Sequence, residues 1–192
     1  MRKCTALLLL VALLIGVIPI EAFAATSFDK ELEEVILKTK ELFNIKDTYD
    51  NFNSRVNSSG NKVYFYMYWS DSNNKLDNIS VTTDSKGNVI SFNKYNPVYK
   101  EPESKLPNYT KDEALKFAKE FIGTIDKDIF GEIVLMEYNN SLSSHDVDYN
   151  FTFNRVVNNI PYEENTVNIN VNKYTGEVNN YQDRRASCRE RV

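Results

Sequence analysis

Few residues in this sequence could perform acid–base chemistry. His145 is the single histidine, and with Asp146 beside it, it could act as a general base. The Asn- and Ser-rich run around it favours an exposed loop instead. The sequence has no Gly-x-Ser-x-Gly nucleophile motif and no His-Glu-x-x-His zinc motif. We therefore expect no catalytic residues and interpret the chain as a non-enzyme, with a hydrolase using His145 as an alternative.

Carboxylates are numerous but do not form a recognisable metal site. Asp-x-Asp pairs occur at residues 126–128 and 146–148. A calcium loop of the EF-hand type needs oxygen ligands at alternate positions, a central Gly and a closing Glu. Residues 71–75 lack that Gly, so turns and solvated surface explain these acids better. We expect no metal and no cofactor.

The aromatic stretch 62–70 holds the residues best suited to binding. Its strand periodicity divides the side chains into two sets. One set is Val63, Phe65, Met67 and Trp69, and the other is Tyr64, Tyr66 and Tyr68. If the first set is buried, the tyrosines form a candidate binding face, since exposed aromatic residues favour peptides or sugars. The alternative is that the tyrosines pack against the other half of the chain.

The elements around this stretch begin with a helix. Apolar residues at three- and four-residue spacing predict a helix over residues 27–43. Alternating patterns then predict strands at residues 62–70, 76–83 and 89–95. The last two strands are joined by a tight hairpin in which Gly87 can take a positive φ.

A second set of elements follows a linker at residues 96–108, where three prolines stand among polar residues. Thr110 and Glu113 have the spacing of a helix capping box. Strands are predicted at residues 133–138, 147–153 and 167–171, with a final strand starting at residue 178. The turns between the later strands are at Asn158-Asn159 and at Gly176.

The two sets share one order, which predicts a repeat. Gly87 corresponds to Gly176, and the aromatic strand at 63–69 corresponds to residues 147–153. The predicted fold class is α+β, with repeats at residues 25–95 and 109–182, each a helix packed on an antiparallel sheet. Coincidence between two α+β stretches is the alternative. The sequence leaves open whether the two repeats pack together.

Residues 1–24 have the three-part pattern of a secretory signal peptide. Basic residues precede an apolar run at 6–18, and small residues flank Phe23. That run is shorter than the roughly 20 residues that a membrane-spanning helix needs. We expect cleavage after Ala24, a secreted or cell-envelope location, and no membrane span in the mature chain.

Residues 183–192 differ from the rest of the chain because they are rich in Arg. They resemble the conceptual translation of a sequencing adapter, so we expect the natural protein to continue past Gln182. The alternative is a genuine basic tail that binds an acidic partner. Both cysteines, Cys4 and Cys188, lie in these terminal segments, so the part between them has no disulfide and no thiolate site.

The charge balance excludes two kinds of partner. The chain has 27 acidic and 23 basic residues, a net charge of −4, and removing both terminal segments makes it more acidic. Proteins that bind nucleic acids need a basic face to displace counterions. Adsorption to anionic lipid needs positive charge as well. We therefore expect no nucleic acid partner and no simple lipid adsorption.

Three segments resemble a known family. Residues 109–122 resemble the helix that opens a YcdB/YcdC repeat. Residues 149–162 resemble that family's Phe-x-Arg-x-x-Asn-Gly-Ile-Pro hairpin, with Asn159 where Gly is usual. Residues 167–178 resemble its closing strands, an ending also similar to PepSY-type domains. The likeness covers residues 107–182 well and 27–95 loosely, since the first unit lacks the Arg-x-x-Asn hairpin.

This resemblance implies a PepSY- or cystatin-like fold in a secreted or wall-associated bacterial protein. Family members often form repeat arrays, sometimes joined to surface-layer modules, and no catalytic residues carry over. The resemblance therefore implies a binding or regulatory module whose partner is a cell-wall polymer or a peptidase. Because PepSY-like domains occur in metallopeptidase propeptides, an inhibitory or folding propeptide is the alternative. The sequence does not give the oligomeric state.

Overall fold

The computed structural model describes residues 21–74, 77–96, 106–136 and 146–184, with side chains from residue 30 onward. The chain divides into two compact units, residues 1–34 and 35–192. The helices are α1 (Glu21–Leu42) and α2 (Lys111–Ile125), and a 3-10 turn spans Ile129–Gly131. The strands are β1 (Asn51–Ser59), β2 (Lys62–Ser70), β3 (Asn78–Asp84), β4 (Val89–Tyr95), β5 (Ile133–Leu135), β6 (Asp148–Val157), β7 (Ile160–Asn172) and β8 (Val178–Asp183).

All strands of the described residues belong to one antiparallel sheet of eight strands in the order β1-β2-β3-β4-β8-β7-β6-β5. The predicted α+β class is therefore confirmed. The last strand before the linker, β4, pairs with the last strand of the described chain, β8, through Phe92 and Tyr181 and their neighbours. The two halves of the sequence thus share one sheet, with β4 and β8 at its centre.

Each half contributes a helix followed by four strands, in the order that the sequence patterns predict. Strands β2, β3, β4, β6, β7 and β8 cover predicted strand positions, and β5 covers the first half of the strand predicted at residues 133–138. Strand β1 is an additional strand that the sequence did not indicate. The tight hairpin between β3 and β4 is confirmed, since Gly87 has φ +80° and its N–H donates to the Asp84 carbonyl. Asn158 and Asn159 form the expected turn, with φ of 52° and 64°.

Helix α2 begins at the predicted capping box. The Thr110 hydroxyl accepts from the Glu113 N–H, and the Glu113 carboxylate accepts from the Thr110 N–H. These bonds satisfy backbone donors that the first turn leaves free. The helix buries Ala114, Ala118 and Ile122 against the sheet.

One face of the sheet, which we name the helix face, carries the core. Met67, Val81, Phe92, Tyr181 and Ile169 lie directly opposite one another on successive strands and are buried. Burial of such apolar side chains stabilises a fold by about 1.5–3 kcal/mol each. The residues that alternate with them point to the opposite face, which we name the open face.

An aromatic cluster ties both helices to the central strands. The Phe43 ring, just after α1, lies 4.6 Å from Phe92 and 5.8 Å from Phe121 of α2. Phe121 also lies 5.3 Å from Phe92 and 5.9 Å from Tyr181. Aromatic pairs at these distances contribute about 0.5–1.5 kcal/mol beyond area burial, so the cluster stabilises the junction of the two halves.

Several sequence predictions fall on segments that the structure does not describe. Residues 1–20 of the predicted signal peptide, most of the linker, His145 and residues 185–192 are outside the described residues. Helix α1 begins at Glu21 and contains the predicted cleavage position after Ala24. Asp183 pairs with Val167 in β8, and the Arg184 N–H donates to the Thr166 carbonyl. The proposed origin of residues 183–192 stays a prediction.

Candidate functional site

The three tyrosines proposed as a binding face lie on β2 and point to the open face. Phe65, Met67 and Trp69, which alternate with them, are buried on the helix face. Tyr68 is 41% exposed, and Tyr64 and Tyr66 are half-buried. The alternation in the sequence thus separates the two sets in the way that strand geometry requires.

A shallow depression of about 350 Å³ lies beside these tyrosines. The lining residues whose side chains point to the open face are Asn53, Arg55, Tyr66, Tyr68, Ser80 and Thr82. The Arg55 guanidinium carbon lies 5.0 Å from the centroid of the Tyr66 ring, within the range of a cation–π contact. This contact orients the ring and leaves guanidinium donors available at the rim of the depression. Tyr64 is not among the lining residues.

The open face continues from the tyrosines across the sheet as two rows of directly opposed side chains. The first row is Asn53, Tyr68, Ser80, Asn93, Asn180, Asn170 and Asn150. The second row is Arg55, Tyr66, Thr82, Ser91, Gln182, Asn168 and Thr152. Each of these residues is exposed or half-buried, and none is aliphatic. The open face is therefore a broad surface of amides and hydroxyls with aromatic rings near one edge.

Part of the second row is ordered by side-chain hydrogen bonds. The Thr152 hydroxyl donates to Asn168 Oδ1 over 2.9 Å, and Asn168 Nδ2 donates to the Thr166 hydroxyl over 3.1 Å. These bonds hold the Asn168 amide in one orientation. A second amide hydrogen and a second lone pair of this group remain available to a ligand.

A separate cleft of about 600 Å³ lies on the helix face near the junction of β4 and β8. Within it, the Tyr49 hydroxyl donates to Asp77 Oδ1 over 2.7 Å, and Asn96 Nδ2 donates to Asp77 Oδ2 over 3.1 Å. Lys94 and Glu177 form an ion pair at 3.0 Å. These five polar side chains of the cleft are thus engaged with one another.

Tyr49 acts as a hydrogen-bond donor in this cleft. Burial, followed by the hydrogen bond to Asp77 and its negative charge, raises the pKa of the Tyr49 phenol above its usual range. The phenol therefore stays protonated and donates to the carboxylate. No cluster of three or more His, Cys, Asp or Glu side chains that could hold a metal ion occurs among the described residues.

Two of the carboxylates considered from the sequence, Asp71 and Asp126, take up turn and capping positions, whereas Asp148 lies half-buried on β6 and accepts from Asn179 Nδ2. Asp71 Oδ1 accepts from the N–H groups of Asn73 and Asn74, an Asx-turn. Asp126 caps the end of α2, and its Oδ1 accepts from the N–H of Asp128. In the part of the chain that is described, neither helix is long and apolar enough to cross a membrane.

Most of the open face was not apparent from the sequence. Arg55 and Asn53 lie on β1, a strand that apolar periodicity did not reveal. The alternation of Asn with Val and Ile at residues 167–171 was visible. The Asn residues of this stretch, however, lie in the same rows as the tyrosines only because the strands between them pair in one particular order. Those pairings depend on the register between distant strands, which one sequence does not encode locally.

The match to a family model settles the relationship of this chain to known proteins. The model for the YcdB, YcdC repeated domain covers residues 32–185. This chain belongs to that family. The match spans the whole sheet, including β1, and thus extends the resemblance from residues 107–182 to the first half of this YcdB/YcdC chain. No curated protein matches it.

The fold of this YcdB/YcdC chain is also similar to a solved structure, the Bacillus megaterium YpeB C-terminal domain. The TM-score is 0.56 at 15% sequence identity, and the superposition covers 84% of this chain and 65% of the YpeB chain. This chain therefore spans less than two thirds of its structural neighbour. At this identity the likeness concerns the fold.

The structure also explains a departure from the family's hairpin motif. Asn159 stands where Gly is usual, and it has φ +64°. Gly takes this left-handed conformation freely, and Asn is among the residues that tolerate it best. The Asn residue at this position therefore preserves the turn between β6 and β7.

Proposed function

We propose that this chain is a non-catalytic, extracytoplasmic binding module whose open face contacts the glycan of the bacterial cell wall. The observation that carries the proposal is the pair of polar rows across the sheet, with Tyr66, Tyr68 and Arg55 near one edge. Amide and hydroxyl side chains donate to and accept from sugar hydroxyl and acetamido groups. Tyrosine rings offer apolar surface together with a polar hydroxyl.

The shape of the open face suits a polymer better than a small molecule. Small-molecule sites are usually concave and enclose most of the ligand. The depression beside the tyrosines is shallow. The two polar rows extend from it across the neighbouring strands β1, β2, β3, β4, β8, β7 and β6. The acidic balance of the chain disfavours anionic polymers. These features support a neutral, hydroxyl-rich polymer as the ligand.

We further propose that the fold is a duplicated PepSY-like unit. Each half has the order helix and four strands, and the halves meet through their last strands, β4 and β8. Gly87 and Gly176, which correspond in the sequence, both have positive φ just before those strands. The family description as a repeated domain and the similar fold of the YpeB domain support this proposal.

Secretion is the part of the proposal that depends on residues 1–24 alone. Their basic start, apolar run and small residues before Ala25 are typical of a cleaved signal peptide. A location outside the cytoplasmic membrane would bring the module to the cell-wall glycan. N-terminal sequencing of the protein recovered from culture medium and cell envelope tests this step, with Ala25 as the expected first residue.

Co-sedimentation with insoluble polymers tests the binding proposal. Purified cell-wall sacculi and chitin, a neutral polymer of N-acetylglucosamine, are the probes, and depletion of the protein from the supernatant is measured. The double substitution Tyr66→Ser and Tyr68→Ser should reduce binding at least about tenfold, since aromatic anchors dominate binding energies. Tyr162→Ser is the matched control, because Tyr162 is 45% exposed but lies in the β6–β7 hairpin, away from the depression.

Thermal unfolding of the same variants separates binding from folding. The double variant should melt within a few degrees of the unmodified chain, because neither tyrosine is in the core. Failure of the unmodified chain to bind either polymer would overturn the glycan proposal. Stoichiometric inhibition of thermolysin without polymer binding would favour the alternative, a regulatory propeptide for a metallopeptidase.

A further inference from the structure

Strand β1 forms one edge of the sheet and lacks most of the usual protection of an edge strand. In the described part of the chain it pairs with β2 alone, so one row of its backbone N–H and C=O groups faces outward. It is nine residues long, contains no Pro or Lys, and has Arg55 as its one charged residue. Pro, charged side chains or a very short strand normally prevent edge-to-edge association. The opposite edge, β5, follows that rule with three residues.

The apolar side chains of β1 on the helix face are also only partly covered. Phe52 and Val56 point to the helix face, yet they are 43% and 42% exposed. Phe52 contacts Trp69 at 5.1 Å between ring centroids, so it extends the core to the edge of the sheet and presents its outer side to solvent. An additional strand beside β1 would cover these apolar side chains and satisfy the outward-facing backbone groups.

We propose that β1 pairs antiparallel with β1 of a second copy of this chain, about a two-fold axis at Ser54. In this register Phe52 lies opposite Val56 of the partner and Val56 lies opposite Phe52. On the open face, Asn53 lies opposite Arg55 of the partner. Apolar residues thus meet apolar residues on one face and an amide meets a guanidinium on the other, which are favourable cross-strand pairs. The two sheets join into one continuous sheet.

Registers whose axis lies farther along β1, or between two residues, are less favourable. A two-fold axis at Arg55 places Arg55 opposite its own copy, and directly opposed like charges are destabilising. An axis at Val56 places Phe52 beyond the end of the partner strand, opposite Gly60, so the largest apolar side chain stays uncovered. An axis between two residues would shift the register by one residue. Each apolar side chain of one copy would then lie opposite a polar residue whose side chain points to the other face of the sheet. The Ser54 register avoids each of these penalties.

The pairing would also enlarge the part of the open face around Tyr66 and Tyr68. Tyr68 neighbours Asn53 on β1, which would neighbour Arg55 of the partner, followed by Tyr66 of the partner. Strands lie about 4.8 Å apart, so a row of two tyrosines, an amide and a guanidinium would span roughly 14 Å across the axis. A role of this row in glycan binding rests on the proposed function, whereas the pairing itself does not.

Disulfide trapping tests the register directly. In the full chain with Cys4→Ser and Cys188→Ser, Ser54→Cys places two thiols opposite each other at the axis. Opposed residues of antiparallel strands have Cα atoms about 4.5–5.5 Å apart, which suits a disulfide. Ser58→Cys is the matched control, because it lies on the same strand and the same face but would oppose a residue before the start of the partner strand. Covalent dimer is measured on non-reducing gels in a glutathione buffer.

The expected result is at least about tenfold more covalent dimer for Ser54→Cys than for Ser58→Cys, because only the first pair meets the geometry of a disulfide. Equal trapping of the two variants, or none for Ser54→Cys, would overturn the proposed register. Sedimentation equilibrium without any cysteine supplies an independent measurement. The unmodified chain should dimerise at micromolar concentrations, and a monomer throughout that range would overturn the proposal.

The substitution Val56→Lys adds a specific disruption. It places a charge opposite Phe52 of the partner and should weaken dimerisation about tenfold or more, which is 1.4 kcal/mol of association free energy. Ser58→Lys is the control and should leave the association constant unchanged. Circular dichroism should show the same fold for both variants, since residues 56 and 58 are exposed. None of these measurements involves glycan, so they are independent of the proposed function.

Discussion

Gly87 and Gly176 adopt the same left-handed backbone conformation, with φ of +80° and +73°, directly before the two strands that meet at the centre of the sheet. Each glycine also lies against a residue of the helix in its own half. A Cβ on Gly87 would lie 3.4 Å from the Val35 side chain of α1, and a Cβ on Gly176 would lie 2.9 Å from the Phe117 ring of α2. The two hairpins therefore set the distance between each helix and its strands.

This relationship predicts that Gly176→Ala destabilises the fold by about 2–4 kcal/mol, from the positive φ together with the clash against Phe117. Gly60 is the matched control, because it has φ +59° and a Cβ added to it would meet no atom of the described residues within 4 Å. Gly60→Ala should cost only about 1 kcal/mol. Chemical denaturation measures both, and Gly87→Ala should fall between them.

Equal losses for Gly60→Ala and Gly176→Ala would contradict this account. Such a result would mean that Phe117 and Tyr109 move without penalty, so that the helix is not held at a fixed distance. The pair Gly176→Ala and Phe117→Ala supplies a further check. If the clash dominates, the loss caused by Gly176→Ala should be smaller when Phe117 is already truncated.

The sequence predicted those elements in which buried and exposed side chains follow a regular pattern. Residues 62–70 alternate between core and open face, and the capping box marks the start of α2, so both were visible. Strand β1 was not predicted because its two apolar residues, Phe52 and Val56, are separated by three residues and the rest are mainly Asn and Ser. Its conformation is stabilised by backbone pairing with β2, which is tertiary information.

The candidate site was predictable only in part for the same reason. Alternation placed Tyr66 and Tyr68 on one face, but Arg55 reaches the Tyr66 ring because β1 pairs with β2 in one register. The union of the two halves depends on the contact of β4 with β8, around Phe92 and Tyr181. Nothing in either strand alone specifies a partner so distant along the chain.

A half-buried carboxylate predicts a pH dependence of stability. Burial raises the pKa of Asp148, although the hydrogen bond from Asn179 and the charge of Lys173 oppose the shift. The pKa of Asp148 in the folded state is above its ordinary value of 3.8. Between pH 3.8 and that raised pKa, the folded state therefore binds more protons than the unfolded state. The contribution of this group to the free energy of unfolding should therefore decrease as pH rises through this window.

Asp148→Asn should remove this dependence and raise the free energy of unfolding at neutral pH, because the neutral amide is less costly to bury and its oxygen still accepts from Asn179. Asp128→Asn, at an exposed position whose side chain makes no capping hydrogen bond, is the matched control and should have little effect. Denaturation at several pH values from 3 to 8 measures the difference. A variant that is less stable at neutral pH would show that the attraction of Lys173 outweighs desolvation.

A buried hydroxyl predicts a stabilising substitution. Thr83 is fully buried on the helix face between Phe65 and Val89, and its hydroxyl has no hydrogen-bond partner among the described residues. An unpaired hydroxyl in apolar surroundings costs about 1–3 kcal/mol. Thr83→Val replaces it with a methyl group of the same shape and should stabilise the fold by a comparable amount.

Thr82→Val, the same change at the adjacent half-buried position of the open face, should leave stability nearly unchanged, because water already solvates that hydroxyl. Urea denaturation of both variants measures the difference, and a loss of stability in Thr83→Val would mean that the hydroxyl is hydrogen-bonded in solution.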